Sequence, residues 1–214
     1  MKYQAILFDM DGTLLDTLTD MQAAVNYILE KYGYPTRTLE EGRRFVGNGA
    51  GPLIHRALPQ GLDPDREAEI LADYRAYYQA HNCVETRPYD GIGPLLERLR
   101  QAGVRTAVVS NKPDRTTRTL AARFFPELDG AMGQREGIAS KPAPDMVRAA
   151  LDQLHAAPEE TLYVGDSEVD VATARNAGLD MIGVAWGFRG RAALEAAGAP
   201  LVADTPEQLL DMLQ

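Results

Sequence analysis

Short apolar runs alternate with amphipathic stretches along most of this chain, and that rhythm limits the fold more than any other feature. Strands of a parallel sheet are covered on both faces, so they read as continuous apolar runs, while the helices between them show one apolar stripe. Ala5–Phe8 is the first such run, and Val104–Val109, Thr161–Val164, Met181–Val184 and a short Leu201–Ala203 follow. Ile92, Leu95, Leu96 and Leu99 recur at i, i+3, i+4 and i+7, and Gly103 stands where a helix C-cap is expected. Asp114–Phe124, Pro144–Leu154, Val169–Ala177 (closed by Gly178) and Pro206–Leu213 also read as helices. Repeated βα units of this kind specify an α/β fold with a parallel sheet between two helical layers.

Residues 15–85 break the rhythm. They contain no strand-like run, but Met21, Ala24, Val25, Ile28, Leu29 and Tyr32 mark one amphipathic helix, and Ile70, Tyr74, Tyr77, Tyr78 and His81 mark another. Gly42 and the turn Gly47–Gly51 lie between them. That is too much chain for an ordinary strand-to-strand crossover. Residues 15–85 are therefore expected to form a helical cap inserted into a core built from 1–14 and 86–214. The tyrosine stripe is expected to serve packing. Hinges are expected near Leu14–Thr17 and Thr86–Asp90, where the chain passes between the two.

Composition narrows the possible partners. The 214 residues carry 22 basic and 31 acidic side chains, a formal net charge of −9. Such a chain is not expected to bind nucleic acid or an anionic membrane surface, both of which attract basic faces. A small phosphorylated ligand held locally or through a metal ion is still compatible. One cysteine, Cys83, permits no internal disulfide and no cysteine metal cluster, and a buried inert thiol is expected. No apolar run approaches a membrane span, and Ala5–Phe8 is too short for a signal-peptide core. The expected location is cytoplasmic. Oligomeric state is not legible.

Four segments carry chemistry. Phe8-Asp-Met-Asp-Gly-Thr13 places two carboxylates, Asp9 and Asp11, just beyond the first strand, where ligands collect in open α/β sheets. Asp9 could attack an electrophile or bind a hard cation, and Asp11 could transfer protons. Val164-Gly-Asp-Ser-Glu-Val-Asp170 puts Asp166 at another strand end and Asp170 one helical turn on, although helix capping would also explain it. Ser110 ends the Val-Val strand, with Asn111 and Lys112 behind it. Lys141 lies in Ser-Lys-Pro-Ala-Pro, where two prolines stiffen the backbone, in a chain with only four lysines. Carboxylates, one hydroxyl and one cation make a set suited to phosphoryl transfer, with Mg²⁺ offsetting the repulsion between carboxylates and phosphate.

With all four motifs in order, essentially the whole chain resembles the haloacid dehalogenase superfamily, in the branch with a helical cap after the first motif and a Rossmann-like core. The resemblance implies that Asp9 is the nucleophile that forms an aspartyl-phosphate, with Asp11 as its acid and base. It implies that Ser110 and Lys141 bind the phosphoryl group, with Asn111 a further phosphate contact. Mg²⁺ would be held by Asp9, the Asp11 backbone carbonyl and Asp166. Asp170 would act behind these ligands or through a metal-bound water, and Thr13 would orient the first loop.

The presence of Asp11 argues for phosphate esters, because halide departure needs no proton. Phe45-Val-Gly-Asn-Gly-Ala50, Leu53–Leu58 and the Gly183–Arg189 tail are similar to phosphoglycolate phosphatases. A Mg²⁺-dependent phosphatase acting on a small phosphorylated metabolite, foremost 2-phosphoglycolate, is the expectation. Pyrophosphatase, sugar-phosphate phosphatase, β-phosphoglucomutase-like mutase and a non-catalytic binder are the alternatives. Arg43, Arg44, Asn48 and Arg56 are the cap candidates for specificity, arginine being suited to carboxylates.

Overall fold

A computed structural model describes residues 1–214. The chain divides into two compact units, Met1–Leu15 with Pro88–Gln214, and Asp16–Arg87.

In the first unit the apolar runs become a six-stranded sheet. Its strands are β1 (Ala5–Phe8), β4 (Arg105–Pro113), β5 (Gly130–Gln134), β6 (Thr161–Gly165), β7 (Asp180–Val184) and β8 (Val202–Ala203). A separate small sheet pairs β2 (Leu15–Asp16) with β3 (Arg87–Pro88), where the chain passes from one unit to the other. The large sheet runs β5-β4-β1-β6-β7-β8, and every pairing in it is parallel. β1 sits at its centre with all four residues buried.

Parallel strands need crossover connections, and here helices supply them on both faces. α5 (Ile92–Gln101) and α6 (Asp114–Phe124) serve the strands on one side of β1, and α7 (Asp145–Leu154), α8 (Glu168–Ala177) and α9 (Arg191–Ala196) return across the other face. α10 (Pro206–Met212) packs on α5. Leu7, Val109, Tyr163 and Met181 project from the sheet into one core cluster with Val147, Leu151, Val171 and Leu194 of α7–α9. The result is the three-layer α/β/α core that the alternation predicts.

The strands β2 and β3 and the helix α9 have no counterpart in the sequence reading, and β5 and β4 differ from it. β5, Gly-Ala-Met-Gly-Gln, carries too little apolar bulk to signal a strand. β4 extends through Ser110, Asn111 and Lys112, all buried, because those side chains meet polar partners rather than solvent.

The strand order has a consequence for the site. The chain leaves β1 toward β4 and β5, then crosses back to β6 and continues outward to β7 and β8. Connections from β1 and β6 therefore diverge, which opens a crevice at their carboxyl ends.

The second unit is helical: α1 (Leu18–Lys31), α2 (Leu39–Phe45), α3 (Ala50–Ala57) and α4 (Pro64–His81). Thr38 and Glu41 form a capping box at the start of α2, and Asp63 caps α4. α1 buries Met21, Ala24, Val25, Ile28 and Leu29. The tyrosine stripe divides: Tyr74 and Tyr78 are core, whereas Tyr77 stacks between Tyr27 at 3.8 Å and His81 at 4.0 Å. The glycine turn is shorter than its composition suggests, because Gly49 caps α3 and Gly51 lies inside it. Asp20, in the first turn of α1, is buried and accepts hydrogen bonds from the N–H groups of Val84, Glu85 and Thr86 and from the Thr86 hydroxyl, tying the two ends of the unit together. Cys83 is half-buried rather than buried.

Candidate active site

The loops after β1 and β6 deliver carboxylates into the crevice between those strands. Asp9 follows β1, and its N–H bonds to the Val164 carbonyl of β6 at 2.8 Å. Asp166 follows β6, and Asp170 lies in the first turn of α8. Carboxylate oxygens of Asp9, Asp166 and Asp170 lie within 4.8 Å of one another, and all three residues are buried.

Three glycines permit this crowding. A Cβ on Gly12 would stand 2.4 Å from Asp166 Oδ2, and Gly12 holds φ +87°. One on Gly165 would stand 2.3 Å from Asp170 Cγ, and one on Gly187 would stand 2.3 Å from both Asp166 Cβ and the Gly12 carbonyl oxygen. The backbone thus approaches the acidic cluster closer than any side chain would allow.

Lys141 supplies the internal counter-charge. Its ammonium lies 2.8 Å from Asp9 Oδ1, 2.8 Å from Asp170 Oδ1 and 3.2 Å from the Tyr163 hydroxyl. Tyr163, fully buried on β6, in turn donates to Asp170 Oδ1 at 3.2 Å. Burial works against the Lys141 charge, but Asp170 and Asp9 outweigh it and hold the pKa well above that of an ordinary lysine. Burial, followed by the charge of Asp170, pushes the Asp9 carboxyl up to about 7 despite the pull of Lys141. Burial, then Asp170 and Asp9, pushes Asp166 well above the usual carboxylate range.

A divalent cation fits this cluster. With all three carboxylates ionised, as a bound cation would favour, the single ammonium leaves two negative charges in excess, the charge of one such ion. The donors are all oxygen, which suits a hard cation such as Mg²⁺. Asp166 is held in a fixed orientation: Phe188 N–H donates to its Oδ2 at 2.7 Å, and the Thr13 hydroxyl lies 3.4 Å from its Oδ1. Thr13 is held in place by the Trp186 indole N–H, 3.0 Å from its carbonyl oxygen. Asp170 also accepts from Ser167 N–H and Oγ, closing a capping box, so the capping reading of this segment holds while the same carboxylate lies in the acidic cluster.

The remaining candidates fall into distinct places. The Asp11 carboxylate stands outside the cluster, 3.1 Å from the buried ammonium of Lys112. Ser110 is buried, and its Oγ accepts from Lys112 N–H at 3.2 Å, which leaves the hydroxyl proton unused in that contact. Asn111 clasps the Lys141 backbone: Nδ2 donates to its carbonyl at 3.0 Å and Oδ1 accepts from its N–H at 2.8 Å. The Asn111 amide therefore positions the Lys141 loop. In the helical unit, Arg56 donates to the Phe45 carbonyl and to Asn48 Oδ1, so these two residues brace the glycine turn. Arg44 contacts the Glu40 carbonyl at 3.4 Å, and Arg43 approaches Glu40 at 4.0 Å.

The sequence reading missed Lys112, Tyr163, Trp186 and Gly187. Only the spacing of Lys112, two residues after Ser110, offered a signal.

Comparison with known proteins follows this geometry. The family model for haloacid dehalogenase-like hydrolases matches residues 6–184. A phosphoglycolate phosphatase from Pseudomonas putida is 33% identical over 98% of this chain and 76% of its own length. An N-acetylmuramic acid 6-phosphate phosphatase from Pseudomonas aeruginosa is 33% identical over 100% of this chain and 96% of its own. A crystal structure from Lactobacillus delbrueckii subsp. bulgaricus, of a protein assigned as a phosphoglycolate phosphatase, superposes with a TM-score of 0.95 at 36% identity, covering 100% of this chain and 99% of that one.

Proposed function

The chain belongs to the haloacid dehalogenase-like hydrolases and is a phosphatase, and from the arrangement of its site we propose that it hydrolyses small phosphomonoesters through a covalent intermediate on Asp9. One observation carries this reading: the two aspartates of the first motif are separated in function by their surroundings. Asp9 sits in the buried carboxylate–lysine cluster, whereas Asp11 stands outside it on a different lysine.

In the proposed reaction an Asp9 oxygen bonds to phosphorus as the ester P–O bond breaks. Asp11 gives its proton to the departing oxygen. Water then adds to phosphorus while Asp11 takes its proton, the bond to Asp9 breaks, and inorganic phosphate leaves. Lys141 contacts Asp9 at Oδ1, and Ser110 and Lys141 are proposed to hold phosphoryl oxygens. Asp9, the Asp11 carbonyl and Asp166 would hold the ion, with Asp170 behind them. Phosphatases of this family generally use Mg²⁺, which when bound offsets the repulsion between phosphate and carboxylates.

The substrate proposed first is 2-phosphoglycolate, supported by the relatives that carry that activity in their names. N-acetylmuramic acid 6-phosphate is a second reading, because a relative of equal identity matches over nearly its whole length. Both compounds bear a carboxylate as well as the phosphate, on the ester carbon in 2-phosphoglycolate and on the distant lactyl ether in the sugar. Arg43, Arg44, Asn48 and Arg56 are the proposed candidates to meet it, arginine being suited to carboxylates. No helix is long and apolar enough to cross a membrane. The cytoplasm, where small phosphorylated metabolites are made and used, is the proposed location.

The test is a phosphate-release panel with Mg²⁺ over both compounds, pyrophosphate and hexose phosphates. The expected result is the highest kcat/KM for 2-phosphoglycolate. Release from none of them would overturn the reading, and an isomerised sugar without free phosphate would point to a mutase.

A further inference from the structure

Only four lysines occur in the chain. Lys2 and Lys31 are exposed, whereas Lys112 and Lys141 are buried. The buried pair is divided between the two aspartates of the first motif: Lys141 lies on Asp9, and Lys112 lies 3.1 Å from Asp11 Oδ2. We propose that Lys112 is a positioning residue that fixes the carboxyl of Asp11 for proton transfer to the leaving group. The proposal rests on the reading of Asp11 as the proton donor.

Three features support it. Burying an ammonium is unfavourable unless a partner compensates, and the Lys112 side chain is only 3% exposed. Its position is therefore determined by Asp11 as much as the reverse. The stem is also fixed at its base: Lys112 N–H donates to Ser110 Oγ, its carbonyl accepts from Thr117 Oγ1 at 3.2 Å, and its backbone lies in β4 beside β1. Finally, Asp11 needs such an anchor. It lies in the loop beyond β1, outside the carboxylate cluster, with a side chain 19% exposed. A general acid must lie within hydrogen-bond reach of the oxygen it protonates. With Oδ2 held by a rigidly based ammonium, the range over which the carboxyl can move relative to the leaving group is narrowed.

Leaving-group chemistry separates this role from a structural or phosphate-binding one. A nitrophenolate departs without a proton, whereas an alkoxide requires one. Rapid-quench measurement gives the rate of phosphoenzyme formation from p-nitrophenyl phosphate and from the best alkyl phosphomonoester of the panel. Lys112→Met should lower the alkyl-to-aryl rate ratio about 10-fold or more, a part of the roughly 10²–10⁴-fold that a general acid contributes. Asp11→Asn should lower it further, and adding Lys112→Met to Asp11→Asn should change it no more. An unchanged ratio in Lys112→Met, or an equal loss on both esters with a raised KM, overturns the positioning role while leaving Asp11 intact. An unchanged ratio in Asp11→Asn overturns the Asp11 reading, and this proposal with it. If Lys112→Met does not fold by circular dichroism, Lys112→Arg keeps the charge but displaces the donors. Its ratio should fall by a smaller factor, and an unchanged ratio there refutes the proposal.

Discussion

Replacing Asp9 with asparagine should make the cation-free protein more stable at pH 8 while abolishing turnover. Asp9 is buried, and burial together with the neighbouring charge of Asp170 raises its pKa from 3.8 to about 7, a net value that already includes the opposing pull of Lys141. Between those two values the folded protein holds a proton that the unfolded chain has lost. Stability therefore falls as pH rises through that window, and the full deficit is present above about 7. At about 1.36 kcal/mol per unit, the ionised carboxylate costs the fold about 4 kcal/mol. Asparagine keeps the shape and removes the charge, so it should recover most of that amount at pH 8. In a protein of this size that corresponds to about 8–16 °C in the unfolding midpoint. At pH 5 the native carboxyl is largely protonated, and the gain should shrink to about 2 kcal/mol or less. The assay is thermal and urea unfolding of both proteins in EDTA at pH 8 and pH 5. A variant no more stable than the parent at pH 8, or equally favoured at both pH values, would refute the reasoning. Adding Mg²⁺ should narrow the difference, because the parent offers the more negatively charged site.

Two further outcomes follow from the packing around the site and within the helical unit. Gly187→Ala would set a Cβ 2.3 Å from Asp166 and from the Gly12 backbone; the loop must shift, lowering stability by about 1–3 kcal/mol and weakening calorimetrically measured Mg²⁺ binding about 10-fold, and unchanged cation affinity would count against it. Asp20→Ala should destabilise the helical unit by about 2–4 kcal/mol, because the buried N–H and hydroxyl of Thr86 lose their acceptor; amide exchange at Thr86 should accelerate, and a protected Thr86 would contradict the assignment.

What the sequence disclosed depended on how each residue meets its neighbours. β1 was legible to the residue, because a central parallel strand is apolar on both faces. β5 was not. Its glycines leave Met132 as the one large apolar side chain, and the strand is held partly by Asp114, which accepts from Gly133 N–H at 2.9 Å. Acidic residues at strand ends announced the site only in combination with Ser110 and Lys141, because each alone also fits a turn or a helix cap, as the Ser167–Asp170 capping box shows. Lys112 has no role in the sequence reading, because its pairing with Asp11, far away in the chain, is visible only in the tertiary structure. Gly187 was invisible for a different reason: a glycine required by close approach looks like any glycine until the approaching atoms are seen. Asn111 shows a role the sequence did not disclose, since its amide braces the loop of Lys141.

The central place of β1 also bears on how the molecule comes into being. The strand that carries Asp9 is among the first parts made, yet both its sheet partners, β4 and β6, are encoded far downstream. The helical unit between them is continuous in sequence and built from local contacts, which favour rapid folding. It can therefore consolidate while the first strand is still unpaired. The acidic cluster closes only when Lys141, Asp166 and Asp170 have all been synthesised and seated. Tight cation binding would thus mark completion of folding, and a nascent or truncated chain would expose Asp9 without Lys141, Asp166 and Asp170 around it.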